Sequence, residues 1–276
     1  MHQTEPMPSL CSFAVVRIQT PESSWEVRDE AVIVEEPLQI RLNGETWAST
    51  LRTPGHDSEL VAGLLFSEGL VRGAGDILQM GPCSRASPES RGNIVQVRLR
   101  GNVRPRVARL AATSACGVCG RESIDDLLDR CEPLPEGGEW GADALSKLVV
   151  ELAGRQPLFR ATGGSHAAGL VTRAGWQAVR EDVGRHNAVD KAVGWALLSN
   201  GWCGNAGVLI VSGRCGFEVA QKAVMARIPV VVSISAPTSL AVEVARSANL
   251  TLAGFARDGR LTVYSCPERV TGCAKL

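Results

Sequence analysis

The run Cys116-Gly117-Val118-Cys119-Gly120 holds two thiols three residues apart. Such a pair can share a metal, close a disulfide or carry sulfane sulfur. A helix is expected to start near Ser123, because Ser123 and Asp126 fit a capping box. Its first turn would point unpaired N–H groups back at the pair, and that partial positive charge favours a thiolate. Arg121 adds a full positive charge beside it. Together these lower a cysteine pKa below its free value of roughly 8.5. Three chemistries stand open: a nucleophilic or sulfur-carrying cysteine, a zinc site, and a thiol–disulfide pair. Zinc wants four ligands, and the chain has one C-x2-C, with Cys131 as a third candidate and no nearby histidine as a fourth. A thioredoxin-like pair follows a strand, whereas this one follows the small-residue stretch Ala111-Ala112-Thr113-Ser114-Ala115. Zinc deaminase chemistry is excluded. It needs H-x-E followed later by P-C-x-x-C, and His166-Ala167-Ala168 lacks the glutamate and comes after the cysteines.

Four further clusters sit at loop positions. Thr162-Gly163-Gly164-Ser165-His166 either lets a ligand approach the main chain or makes a tight turn. Arg185-His186-Asn187 follows Gly184 and opens a helix, as an anion site or as a plain Asn187 cap. Ser212-Gly213-Arg214 follows a buried strand, where open α/β sheets bind ligands. It is neither a Walker loop nor G-x-G-x-x-G, so it names no nucleotide class. Phe255-Ala256-Arg257-Asp258-Gly259-Arg260 suits a purine and a phosphate, unless Asp258-Gly259 only makes a hairpin turn. Four such clusters point to one shared anion pocket. Cys203, Cys215, Cys266 and Cys273 carry no such context.

The elements that must position these residues change along the chain. In the first half, Ile40 to Leu42 and Thr46 to Arg52 flank Asn43-Gly44, a strong hairpin signal. Asp57 or Ser58 is expected to cap a helix carrying Leu60, Val61, Leu64 and Leu65, ending near Gly69. Asn93 to Arg100 alternates as a strand. Pro133 to Gly141 reads as a linker, and Ala142 to Gly154 as a helix. After that, strands and helices alternate to Tyr264, which argues for a sheet with parallel pairs covered by helices. The expected organisation is a poorly ordered tail over residues 1–28, then a β-rich subdomain over 29–110. The Cys-pair loop, helix and linker follow over 111–141, an α/β subdomain over 142–265, and a tail over 266–276.

Bulk composition removes several classes. Lys plus Arg and Asp plus Glu both number 29, so the chain lacks the basicity of a non-specific nucleic-acid or membrane-surface binder. No apolar run approaches the ~18 residues of a membrane-spanning helix. The first ten residues have neither a basic start nor an apolar core, so no secretory signal is expected. Nine cysteines without export read as reduced thiols in a cytosol. Only four of the 29 basic residues are lysines, leaving 25 arginines. That excess has two readings, the codon composition of a GC-rich genome and recognition of phosphate or carboxylate by guanidinium groups; Arg185, Arg214, Arg257 and Arg260, beside glycines at loops, fit the second.

The longer motifs carry a resemblance. They are Pro54-Gly55-His56-Asp57, Cys116 to Gly120, Phe159 to His166, Arg180-Glu181-Asp182-Val183-Gly184-Arg185-His186-Asn187-Ala188-Val189-Asp190-Lys191, Ser212-Gly213-Arg214, Ser233 to Ser239, and Phe255 to Arg260. In these the chain resembles the formate dehydrogenase accessory sulfurtransferases, the FdhD family, from about Val32 to Tyr264. The resemblance implies an α/β fold with cytidine-deaminase-like three-layer architecture and a homodimer. It implies that a cysteine desulfurase loads sulfur onto Cys116 as a persulfide, with Cys119 as accessory. The recipient would be a molybdenum cofactor bearing two pterin guanine dinucleotides, which then enters a formate dehydrogenase. The family's cofactor-binding segment maps onto Phe255, Ala256, Arg257, Asp258, Gly259 and Arg260, and guanine nucleotides should mimic the cofactor. His166, His186 and Arg214 are further candidates for the same pocket.

Overall fold

The structure is a computed structural model that describes residues 9–21, 23–83, 87, 91–101, 133–199 and 207–272. Cys116, Cys119, Cys131 and the helix expected after Ser123 lie outside the described residues, as do Cys203 and Cys273.

The chain opens with a hairpin of β1 (Leu10–Gln19) and β2 (Ser24–Ile33), paired antiparallel along all ten residues. This corrects the expectation of a poorly ordered tail to residue 28. The ladder pairs the backbone groups of each strand that face the other and holds both segments extended, although none of their side chains is buried. Next come β3 (Glu36–Leu42) and β4 (Glu45–Arg52). Asn43 and Gly44 both have positive φ, 50° and 96°, as a type I′ turn requires. α1 (Asp57–Ser67) follows, then β5 (Ile77–Pro82) and β6 (Ile94–Leu99). These strands form a four-stranded sheet in the order β4-β3-β6-β5. Its inner face, with Leu38, Ile40, Leu42, Val95 and Val97, packs on Leu60, Val61, Leu64 and Leu65 of α1.

The helix is not capped by Asp57 or Ser58. Its N-cap is His56 in a left-handed conformation, φ 58°. Asp57 is occupied elsewhere: both its oxygens accept from the buried Arg52 guanidinium, at 2.9 and 3.0 Å.

The second half is built on a six-stranded sheet. β7 (Trp140–Gly141) leads into α2 (Ala142–Gly154) and the short α3 (Pro157–Thr162). Then follow β8 (His166–Thr172), β9 (Gly175–Asp182), α4 (Arg185–Leu198), β10 (Val208–Val211) and α5 (Phe217–Met225). β11 (Val230–Ser233), α6 (Ser239–Ser247), β12 (Thr251–Arg257) and β13 (Arg260–Ser265) complete it. The order is β13-β12-β11-β10-β8-β9, with β10, β11 and β12 mutually parallel. Every residue of β10 and β11 is buried, so both faces of the sheet need cover. Leu209, Val211, Val231 and Leu252 lie under α4, α5 and α6. Val208, Ile210, Val230 and Val232 lie against Leu145, Val149 and Leu152 of α2. The chain is therefore a mixed α/β protein with helices on both faces of its main sheet.

Two expected loose segments belong to the fold. Leu134, in the supposed linker, is buried and its N–H donates to Ala248 O at 2.8 Å. Past Ser265, β14 (Val270–Thr271) pairs in parallel with β7. Arg269 is buried and donates to Gly137 O, Pro135 O and Thr251 Oγ1. A buried guanidinium with carbonyl acceptors holds this segment in place, which corrects the expected tail through Thr271.

The two halves meet where α1 crosses α4. A Cβ on Gly63 would sit 1.9 Å from Asp190 O, and one on Gly194 1.7 Å from Glu59 O, so only glycine permits this approach. Closed ion pairs surround the crossing. Lys191 Nζ lies 2.7 Å from Asp182 Oδ2 and donates to Thr53 O at 2.8 Å. Asp182 also accepts from Thr53 N and Gly184 N. Lys222 Nζ donates to Asp190 Oδ1 at 2.7 Å, and Ser67 Oγ donates to the same atom. Arg180 clamps Glu59 through two nitrogens.

Candidate functional site

The strand directions decide where the loop clusters go. β10, β11 and β12 end at one edge of the sheet, and the antiparallel β8 and β13 begin there. β9, antiparallel to β8, also ends there. That edge therefore collects His166 at the start of β8, Asp182 at the end of β9, and Arg185 and His186 at the start of α4. Gly213 and Arg214 follow β10, Ser235 follows β11, and Phe255 to Arg260 turn from β12 into β13. This is the carboxyl edge of the parallel strands, the usual ligand position in open α/β sheets.

The edge loops are tied together. Ser233 Oγ donates to Gly213 O at 2.7 Å. Cys215 N donates to Ala236 O, Thr238 N to Cys215 O, and Phe255 N to Ser235 O. Thr238 caps α6 through its side chain, which accepts from Ala241 N. Burial pushes the Cys215 thiol up to about 12, so it packs rather than reacts.

At one end of the edge, His166 and Arg185 flank Gly213. A Cβ there would lie 3.2 Å from His166 Nδ1 and 3.8 Å from Arg185 Cβ, so the glycine makes room for the ring. Burial lowers the pKa of His166, and the charges of Arg185 and His186 lower it further, so it is neutral at pH 7. His186 Nε2 lies 2.6 Å from Glu218 Oε2. Arg185 Nε is buried and has no hydrogen-bond partner among the described residues.

At the other end stands the Phe255–Arg260 segment. Gly254 faces Thr262 and Arg257 faces Arg260, so Phe255 and Ala256 together oppose Leu261 in a β-bulge. The bulge lets Ala253 and Ala256, three residues apart, both enter the same core cluster. Phe255 takes φ 51° and is left 43% exposed at the edge, an aromatic held outward at a backbone cost of about 1–2 kcal/mol. Asp258 and Gly259 have φ 53° and 73° and form the tight turn. Arg257 and Arg260 are thereby placed directly across from each other, both exposed. Like charges at opposed positions repel, so this pair is suited to an anion. Among the described residues, none of the side chains of Arg185, Arg214, Arg257 and Arg260 has an ion-pair partner.

Comparison with known proteins decides the family. A model of the FdhD/NarQ family matches residues 33–271. The chain belongs to that family. It is 49% identical over 259 residues to the sulfur carrier protein FdhD of Anaeromyxobacter dehalogenans strain 2CP-1, covering 88% of this chain and 89% of the relative. It is 46% identical over 248 residues to that of Nocardia farcinica, with the same coverage. Its structure is similar to the crystal structure of a protein from Desulfotalea psychrophila described as a formate dehydrogenase accessory protein. There the TM-score is 0.76 at 27% identity, covering 95% of this chain and all of that one. The family match runs to residue 271, past the limit at Tyr264 that the motifs suggested, in keeping with the ordered β14.

Within this FdhD/NarQ chain, three of the four loop clusters lie on this one edge of the sheet, and the fourth only in part. The Gly-Gly turn is the bland feature: Gly163 terminates α3, Gly164 lies against Ile33, and Ser165 Oγ donates to Glu181 Oε1. Only His166 of that run reaches the site. Asn187 does not cap α4, whose N-cap is Gly184. Its amide donates to Leu51 O and Asp182 Oδ1 instead. The cysteine pair lies outside the described residues, so its placement relative to this edge is not part of the geometry. Sequence reasoning gave Asp182, Glu218 and Ser235 no role. Asp182 and Ser235 stood inside the quoted motifs, Asp182 between two arginines in Arg180 to Arg185 and Ser235 at the end of a buried apolar run, and that position was the available signal. Glu218 had no signal, since it meets His186 only through the fold.

Proposed function

We propose that this chain is a sulfur carrier, a sulfurtransferase that holds sulfane sulfur as a persulfide on Cys116 and passes it to a molybdenum cofactor. The observation that carries this reading is its membership of a family whose relatives, at 46–49% identity, are named sulfur carrier proteins. In the first step the Cys116 thiolate attacks the terminal sulfur of a persulfide on a cysteine desulfurase. The donor's S–S bond breaks, its thiolate leaves, and Cys116 becomes the persulfide. The rate follows the thiolate fraction of the attacker and the quality of the leaving group. The Cys119 thiolate then attacks Cys116 Sγ, the persulfide S–S bond breaks, and the terminal sulfur leaves at the sulfide level for the cofactor while a Cys116–Cys119 disulfide closes; the cofactor is cargo and not a resident group, and it then enters a formate dehydrogenase.

The edge geometry supports the cargo assignment. Arg257 and Arg260 would pair with a pyrophosphate, and the exposed Phe255 ring would stack on guanine. β8 lies three strand spacings from β12, about 14 Å, so His166 and Arg185 would meet a distant part of the same ligand. An extended anion with two nucleotide arms fits that span better than a mononucleotide. The same reading includes cytidine-deaminase-like layering, a homodimer and a reducing cytosol in which the Cys116 thiol stays free to be loaded.

The test is complementation. In cells deleted for their own family member, the wild-type chain should restore formate dehydrogenase activity and Cys116→Ala should not. Full restoration by Cys116→Ala would overturn the persulfide assignment.

A further inference from the structure

We propose that His166, Arg185 and the Gly213 backbone form a proton-coupled oxyanion site, where capture of a phosphate group turns His166 from a neutral into a charged imidazole. The site deepens the cargo reading and rests on it for the source of the phosphate, a part of the nucleotide ligand remote from Phe255. Anion capture itself follows from the geometry of this end of the edge.

Three observations point to a small anion. The first is unmet donors. Arg185 Nε is buried with no hydrogen-bond partner among the described residues. A buried donor without an acceptor is costly, and an oxyanion would answer it. Neither ring nitrogen of His166 is engaged among the described residues either. The second is space. Gly213 does not take a positive φ, so its missing side chain serves room and not conformation. The Cβ it lacks would stand 3.2 Å from His166 Nδ1 and 3.8 Å from Arg185 Cβ, which puts the notch between these two side chains. The third is the start of α4. Its N-cap, Gly184, supplies no side-chain cap, so the N–H groups of the first turn add their partial positive charge.

The surrounding charges make this site respond to protons. His166 pairs across the ladder with Asp182. Asp182 favours the charged ring, but it is already held by Lys191 and by the N–H groups of Thr53 and Gly184. Burial opposes the charged ring most, and Arg185 and His186 at the start of α4 oppose it further. Glu218 of α5 faces His186 at 2.6 Å. Arg214, next to Gly213 in the chain, adds another cation. The free ring is therefore neutral. A phosphate between His166 and Arg185 would cancel the repulsion from Arg185 and accept from the ring, so the charged form becomes the stable one. One proton then enters from solvent with each anion. Linkage makes binding tighter as pH falls, by up to about tenfold per pH unit.

The chain has four histidines, His2, His56, His166 and His186, so NMR can follow their ring signals one by one in the full chain. Sulfate is the probe, because its charge is fixed near neutral pH and any pH dependence belongs to the protein. At about pH 7, saturating sulfate should move the His166 signal, identified by its loss in His166→Gln, toward the charged form. Chloride at equal ionic strength should not. Sulfate should bind about tenfold or more tightly at about pH 6 than at about pH 8. With the Gly213 amide as readout, His166→Gln should cut that ratio below about threefold. Arg185→Gln should weaken binding about tenfold at both pH values. The site is overturned by a His166 signal indifferent to sulfate, by equal affinity at both pH values, or by a full pH dependence kept in His166→Gln. These failures are separate from that of the sulfur-carrier reading. A chain with the sulfate response that fails to restore formate dehydrogenase activity keeps the site and loses the carrier role. One that restores activity without the response loses only the site.

Discussion

Two regions of this molecule use the same residue types to opposite ends. At the α1–α4 crossing, the charges of Asp182, Lys191, Asp190 and Lys222 are buried and all are answered. At the carboxyl edge of the main sheet, Arg185, Arg214, Arg257 and Arg260 have no ion-pair partner among the described residues. The two regions are adjacent, because Asp182 ends β9 and Arg185 starts α4 three residues later. The environment of an arginine, more than its presence, sets what it does here. A guanidinium held by Asp57, such as Arg52, is structural, while one left open beside a bulge or a helix start is available to a ligand.

Substitutions should separate the two regions, and the crossing should respond most. Lys191→Met leaves Asp182 buried without its counter-charge and should cost about 3–5 kcal/mol in urea unfolding. A loss under 1 kcal/mol would mean that the pair is not the tie described. Glu59→Gln comes next. Burial pushes the Glu59 carboxyl up, but Arg180 and His56 outweigh it and hold it at about 2 rather than 4.5. A depressed carboxylate stabilises the fold fully above its unfolded value and loses that contribution as pH falls from about 4.5 through 2. Glu59→Gln should therefore cost about 1–3 kcal/mol at pH 7, and the gap from wild type should close by about pH 2. Unfolding curves at a series of pH values check this, and a gap independent of pH would refute it. The smallest change in stability belongs to the edge. Arg257→Ala should shift unfolding by less than about 0.5 kcal/mol yet weaken guanosine diphosphate about tenfold or more in calorimetry. Guanine should also be preferred over adenine. A stability loss without an affinity loss would make Arg257 a structural residue like Arg52.

Much of the frame was legible because its signals are local. The Asn43-Gly44 turn, the buried runs of β10 and β11, and helix α2 over Ala142–Gly154 came out as the residues suggested. Helix starts were less legible, because the residues that look like caps were taken by distant partners. Asp57 serves Arg52, and Asn187 serves Leu51 and Asp182. The β1–β2 hairpin was missed because its apolar residues, at Val16, Ile18, Trp25 and Val27, are exposed and join no core cluster among the described residues. The segment around Arg269 was missed because its acceptors, Pro135 and Gly137, lie more than a hundred residues away. For the site, each loop cluster was visible as a cluster. Their assembly on one edge depends on β8 lying between β10 and β9, a strand order that chain order does not give.

Whether Cys116 carries sulfur is read by intact-protein mass spectrometry after incubation with a cysteine desulfurase and cysteine. Wild type should gain the mass of one sulfur atom, a reductant should remove it, and Cys116→Ala should gain none. Equal loading of wild type and Cys116→Ala would contradict that role for Cys116.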